Sequence, residues 1–168
     1  NLPWEYVEQM RPAIQPALTV FLYKTLSVLG MTSPFTFTLI SRLLSAALSF
    51  SAVYFLYQNF KNEFQSEKIK KWFLYFSFLT WVILYNGVRY SSENWSELLF
   101  IGGFLLYFKK GNKGGVQFLL MGIMMGLSFL FRYQTVLMTM GFFAWLFFIK
   151  KENVSRLLSF LVGAGIIL

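Results

Sequence analysis

The sequence contains no cysteine and no histidine. The first absence excludes disulfides and thiolate chemistry, and the second removes the commonest metal ligand and proton shuttle. Any acid–base work therefore falls to carboxylates, tyrosine or lysine, and no metal site and no cofactor are expected. Charge is scarce as well: 13% of the 168 residues carry one, against roughly 25% in ordinary soluble domains. No GxxxxGK[ST] phosphate loop, zinc-ligand spacing or Ser–His–Asp arrangement occurs. That excludes ATP-driven transport by this segment and hydrolase chemistry of the triad type. Internal repeats, low-complexity tracts and a heptad seam are also missing.

What is present is apolar surface. Hydrophobic residues make up 57% of the chain and aromatics alone 21%, more than a soluble core of this length can hide. Apolar stretches at 35–58, 72–88, 95–108, 116–131 and 135–149 approach the ~20 residues that cross ~30 Å of hydrocarbon, and 157–168 opens a sixth. Several are short, so tilt, local thinning or burial among neighbours has to be allowed for. The expected fold class is an all-α membrane protein, a polytopic helical bundle with the lipid bilayer as its first partner.

A net charge of +8 does not imply nucleic acid, because the basic residues fall in short clusters between apolar runs and not along one polar face. Lys61, Lys68, Lys70 and Lys71 fill one connector, Lys109, Lys110 and Lys113 a second, and Lys150, Lys151 and Arg156 a third. Cytoplasmic loops collect Lys and Arg. Ten of the fifteen basic residues are then cytoplasmic, and 89–94 and 132–134 belong to the outer face. By the same parity 1–34 reads as one outer-face loop, with 13–30 as an amphipathic interfacial helix. A crossing by 13–30, which carries Gln15, Pro16 and Lys24, is the alternative. Residues 35–168 form the transmembrane region of about five to six segments. The chain starts at Asn1 with neither a methionine nor a signal-like segment and stops inside an apolar run, so both ends are expected to be cut. Gly102–Gly103 and Gly122-x-x-x-Gly126 suggest close helix contacts.

Three polar constellations fall on the outer face. The first is Pro3-Trp4-Glu5-Tyr6 with Glu8, Arg11, Pro12 and Pro16. Aromatic faces pack on pyranose rings and charged groups orient them, but the same residues suit a loop anchored at headgroup depth. The second runs from Asn86 to Glu97. A carboxylate at the edge of a membrane helix is costly unless paired or hydrated, so Glu97 is expected to find a partner such as Arg89, as a structural ion pair or beside a substrate. The third, Arg132-Tyr133-Gln134, interrupts an apolar stretch. Its guanidinium grips phosphate through paired hydrogen bonds, on a lipid headgroup or on a lipid-linked substrate. Arg42 is close enough to the outer end of its stretch to snorkel to the interface.

These residues resemble glycosyltransferase family 22, the polyprenyl-phosphate-mannose-dependent α-mannosyltransferases that include the GPI-anchor and N-glycan enzymes. Trp4-Glu5-Tyr6 followed by Arg11 and Pro16 is similar to the family's TWE-(aromatic)…R…P stretch in the first luminal loop. Arg42 follows in the next helix. Arg89-Tyr90-Ser91-Ser92-Glu93-Asn94-Trp95-Ser96-Glu97 is similar to its R-x-x-S-N-x-x-E segment, with Asn94 and Glu97 one residue later relative to Arg89. Gly126-Leu127-Ser128-Phe129-Leu130-Phe131-Arg132 resembles a later G-L-x-F-x-x-R segment.

The resemblance implies a GT-C fold with its site between the first outer loop and the outer helix ends. It also implies inverting transfer of a sugar, typically mannose, from a polyprenyl or dolichyl phosphate to a glycan or glycolipid acceptor. Trp4, Glu5, Tyr6, Arg11, Arg89, Asn94, Glu97, Arg132 and Gln134 become the candidate substrate-binding residues, with Arg89 or Arg132 facing the phosphate. The family's H-P-D-E-type acidic motif, whose aspartate is the expected base, has no match here, so the base is expected upstream of residue 1.

Two rival readings stay open: a non-catalytic polytopic protein, either a transporter or a scaffold subunit, and a GT-C enzyme using a different donor such as aminoarabinosyl or glucosyl polyprenyl phosphate. The Phe, Lys and Asn content and short loops favour a bacterial inner membrane. In a eukaryote the equivalent site is the endoplasmic reticulum.

Overall fold

The computed structural model describes residues 14–109 and 114–167, and the fold among them is helical with no strand. Eight α-helices follow one another: α1 (Ile14–Val28), α2 (Pro34–Phe60), α3 (Glu67–Leu79), α4 (Trp81–Gly87), α5 (Ser92–Phe108), α6 (Gly115–Phe131), α7 (Thr135–Ala144) and α8 (Val154–Ile167). A 3₁₀ turn (Lys61–Glu63) closes α2, and a π-turn (Trp145–Ile149) extends α7.

Local chemistry explains where the helices start and stop. Pro34 opens α2 at a position where its missing N–H goes unneeded. Ser91 caps α5 by accepting the Asn94 N–H at 3.3 Å, so this helix begins three residues before the apolar run at 95–108. Arg132 leaves α6 in extended backbone, at φ −154° and ψ 114°. At the far end of α7 the Lys150 N–H donates to the Trp145 carbonyl at 3.0 Å, and Lys151 turns the chain with φ 49°.

Expected and observed segments differ in two places. The stretch 72–88 is not one helix, because Thr80 is extended (φ −65°, ψ 120°) and separates α3 from α4. Its hydroxyl donates back to the Phe76 carbonyl at 2.6 Å, taking up an acceptor freed by the break. The second difference is length. Only α2 with its 3₁₀ extension, Pro34–Glu63, is long and apolar enough to cross a membrane among the described residues. The segments Gly115–Phe131, Thr135–Ile149 and Val154–Ile167 are apolar but shorter.

The core lies where α5, α6, α7 and α8 meet, with Phe118, Met121, Met125, Leu146 and Phe160 fully buried. Tyr107, Phe142 and Trp145 pack edge-on and stacked around them. The tightest seam joins α6 and α8. A Cβ on Gly122 would stand 2.9 Å from Ala164 N and 2.9 Å from Phe160 C, and one on Gly163 would stand 3.0 Å from Leu119 C. The backbones touch there, as the Gly122-x-x-x-Gly126 spacing suggested.

Contacts also sort the two ends of the bundle. At one end Phe60 meets Phe104 and Phe108. Nearby, the Tyr107 hydroxyl donates to Glu152 Oε1 at 2.9 Å, and Glu152 Oε2 accepts from Arg156 Nη1 at 2.9 Å. Lys61, Lys109 and Arg156 lie at this end, next to Phe60, Phe108 and Glu152. Within the first basic connector, Lys70 Nζ donates to Glu67 Oε1 at 2.6 Å, and this bond, then the lysine's charge, holds the Glu67 carboxyl below its ordinary range. At the other end α1 meets the α4–α5 turn, with Thr19 Oγ1 3.4 Å from the Tyr90 hydroxyl. Helix α1 buries no residue and leaves Phe21 and Val28 exposed.

Candidate functional site

The end of the bundle opposite Phe60 and Glu152 carries a recess of about 960 Å³, lined by Gln15, Pro16, Thr19 and Val20 of α1, Arg89 to Glu93, and Phe131 to Gln134. Two of the three polar constellations, forty residues apart in sequence, thus share one recess, and α1 forms its third wall. The volume lies within the range of small-molecule sites. Tyr90 and Phe131 present ring surface to it, backed by Trp95, which stacks on Phe131 (6.2 Å, 16°) and meets Tyr90 edge-on at 5.9 Å.

Arg132 sits at the centre. Its backbone is outside any helix, and its guanidinium is held by neighbours: Nη1 pairs with Glu93 Oε1, and Nε donates to Gln134 Oε1. Its carbonyl accepts from the Thr135 hydroxyl at 2.8 Å, which starts α7. Arg89 lies in the same recess with its guanidinium 5.3 Å from the Tyr85 ring centroid. The described lining therefore combines two arginines with one carboxylate, a net single positive charge suited to a singly charged anion.

The partnership expected for Glu97 does not form. No ion pair to Glu97 exists among the described residues, and Arg132 pairs with Glu93 instead. Geometry gives the reason: Arg89 precedes α5 and turns towards Tyr85, while Glu97 lies one helical turn further along α5 than Glu93. Glu97 lines a smaller recess of about 350 Å³ with Glu93, Ser96, Arg132, Gln134, Thr135 and Met138. It also borders a cavity of about 330 Å³ between α2 and α5 that includes Ser49, Asn86 and Asn94. Glu97 is thus placed beside Arg132 and Gln134, but as an exposed carboxylate and not as a pair with Arg89.

Asn94 is a brace. It is 4% exposed, its Nδ2 donates to the carbonyls of Gly87 (3.2 Å) and Arg89 (3.1 Å), and its Oδ1 accepts from the Ser49 hydroxyl at 3.0 Å. Those bonds fix the α4–α5 turn on α2 and so set where Arg89 stands. Gly87 permits the approach, since a Cβ there would meet Ser49 Cβ at 3.1 Å. Below the recess, Ser96 Oγ donates to the Ser128 carbonyl at 2.9 Å and Ser128 Oγ to the Ser96 carbonyl at 2.8 Å, both side chains fully buried. This reciprocal clasp joins α5 to α6 directly beneath Glu93 and Arg132.

Trp4, Glu5, Tyr6 and Arg11 lie outside the described residues. Arg42 is exposed on α2 two turns from its start. Sequence reasoning missed Glu93, Gln15 and Thr19 as members of the recess. The signal for Glu93 was its spacing, since carboxylates at 93 and 97 share one helical face.

Chemically, the recess offers the N–H groups of Arg132 that Glu93 and Gln134 leave unused, a second guanidinium, amide and hydroxyl groups, and ring faces. Those groups suit a phosphate-bearing sugar. No curated protein and no solved structure matches the chain. The family model that does match is that of the Alg9-like mannosyltransferases, over residues 1–168, and the chain belongs to that family.

Proposed function

We propose that this chain is part of a multi-pass membrane glycosyltransferase that moves a hexose, mannose, from a polyprenyl-phosphate donor to an acceptor hydroxyl on the extracytoplasmic or luminal face, with inversion. The observation that carries the reading is the recess that brings Arg89, Tyr90, Arg132 and Gln134 together in a member of a mannosyltransferase family.

A polyprenyl-phosphate sugar is a phosphodiester with one negative charge, which the net charge of the described lining complements. When the bond from sugar to phosphate breaks, the leaving phosphate gains a second charge. Preorganised guanidinium donors lower that barrier more than they tighten binding of the donor itself. Arg132 takes the phosphate, Arg89 supports it electrostatically, and Gln134 and Tyr90 contact the sugar. Glu97, lining the smaller recess beside Arg132, contacts the sugar or acceptor hydroxyls. Asn94 acts through the turn it holds. Inversion requires the acceptor oxygen to attack from the face opposite the phosphate while a carboxylate takes its proton. The short apolar helices α5 to α8 cross the bilayer tilted or among neighbours in this reading.

The test is transfer from radiolabelled polyprenyl-phosphate mannose by the complete enzyme in membranes, with the lipid extract of its source membranes as acceptor. Glucosyl and aminoarabinosyl donors serve as competitors. Mannose transfer that falls about a hundredfold or more in Arg132→Ala at matched expression supports the reading. Transfer of another sugar reassigns the donor, and no transfer from any donor favours the non-catalytic class. The anomeric configuration of the product decides inversion.

A further inference from the structure

Arg132 is the side chain asked to meet the phosphate, yet no helix orients it, because its backbone is extended between α6 and α7. Two acceptors set its direction. Gln134 is local, two residues along the chain, whereas Glu93 reaches across from the first turn of α5. That turn is rigidly placed: Ser91 caps it, and the Ser96–Ser128 clasp fixes α5 against α6 three residues beyond Glu93 and four before Arg132. Together Glu93 and Gln134 occupy two of the five guanidinium N–H groups. Three remain for a ligand.

Stability does not explain the ion pair. The Arg132 and Glu93 side chains are 37% and 45% exposed, and pairs this open to solvent contribute little to folding. What the pair does supply is aim. A flexible arginine samples many rotamers, and one tethered at Nη1 and Nε presents its remaining edge in a single direction.

We infer that Glu93 is a positioning residue, holding the Arg132 guanidinium in the orientation that receives the phosphate of the donor phosphodiester. The inference rests on the phosphate role proposed above for Arg132. Glu93 makes no contact with the phosphate.

The experiment compares Glu93→Ala, Glu93→Gln, Arg132→Ala and the exchange Glu93→Arg with Arg132→Glu in the complete membrane enzyme. It records the rate at saturating polyprenyl-phosphate mannose, the half-saturating donor concentration and the melting temperature in detergent. Glu93→Ala is expected to lower the saturating rate about tenfold or more, with a smaller change in half-saturating donor and a melting temperature within about 4 °C of the parent. Glu93→Gln, which keeps an acceptor for Nη1, recovers most of that rate. The charge exchange restores a pair but stays as inactive as Arg132→Ala. A parental rate in Glu93→Ala while Arg132→Ala is inactive overturns the positioning role and leaves the phosphate role standing. Recovery by the charge exchange, or a melting loss that accounts for the rate loss, overturns it as well. A parental rate in Arg132→Ala removes the phosphate reading itself.

Discussion

Replacing Gly122 by alanine tests the α6–α8 seam with one methyl group. The new Cβ would lie 2.9 Å from both Ala164 N and Phe160 C and closer still to the Phe160 carbonyl oxygen. All three are backbone atoms, so no side-chain rotation relieves the clash, and the helices must part by roughly an ångström to reach ordinary van der Waals separation. Parting loosens the facing contact at Gly163, where a Cβ would already stand 3.1 Å from Ile123 N, and the layer of Phe118, Met121 and Phe160 beside it. Overpacking of this kind costs about 1–3 kcal/mol. That cost corresponds to a melting shift of roughly 2–12 °C at about 2–4 °C per kcal/mol. Gly165 and Gly141 provide the control, because a Cβ at either meets nothing within 4 Å. Alanine there should leave stability unchanged or raise it by up to about 1 kcal/mol through helix propensity. The assay is the fraction of tagged, detergent-solubilised protein that stays monodisperse after heating. Gly122→Ala melting within a degree of the parent, or shifting no more than Gly165→Ala, would refute the backbone-contact argument.

Three further substitutions probe the frame under the recess, and a fourth the opposite end. Ser96→Ala and Ser128→Ala should each cost about 0.5–1.5 kcal/mol, and the double variant should cost less than their sum, since each removes a partner of the other; strict additivity in thermal melts would argue against a clasp. Asn94→Ala strips bonds from the Gly87 and Arg89 carbonyls and should cost about 1–3 kcal/mol, so the yield of folded protein falls more than donor affinity does. A raised half-saturating donor concentration with parental stability would make Asn94 a direct ligand instead. Tyr107→Phe removes the hydroxyl donated to Glu152 at the end remote from the recess. It should lower melting by a few degrees while leaving the rate per folded molecule unchanged, and a selective rate loss would show coupling between the two ends.

Much of this arrangement was legible in sequence because apolar periodicity and breaker residues act locally. The start of the apolar stretch at 35 and the polar interruption at Arg132 fall at helix ends, whereas the cap at Ser91 starts α5 three residues before the apolar run at 95–108. The break at Thr80 was not legible. Threonine is common inside apolar helices, and its back-bond to Phe76 is as compatible with a continuing helix as with a broken one. Partner choice was also out of reach. Arg89 and Glu97 are closer in sequence than Glu93 and Arg132, but pairing depends on the register between α5 and α6, which the buried Ser96–Ser128 contact sets. A hydroxyl pair in two apolar helices gives no signal that distinguishes it from two isolated serines.

The position of the recess follows from the same physics that limits what the helices expose. In the bilayer setting proposed above, every backbone group within hydrocarbon must find an internal partner, so a non-helical residue such as Arg132, or a turn such as 88–91, is tolerated only at a helix end or where protein covers it. Asn94 meets that demand for two carbonyls of the turn, and the Thr135 hydroxyl meets it for Arg132. Polar chemistry therefore collects where helices stop, and here three stops coincide: the end of α4, the start of α5 and the junction of α6 with α7. The rigidity that the proposed phosphate role of Arg132 requires comes from the glycine seam and the serine clasp below it. On this argument, variants that loosen α6 against α8 should lower transfer by disordering Arg132 before they unfold the protein, with Gly122→Ala losing rate at temperatures where it remains fully monodisperse.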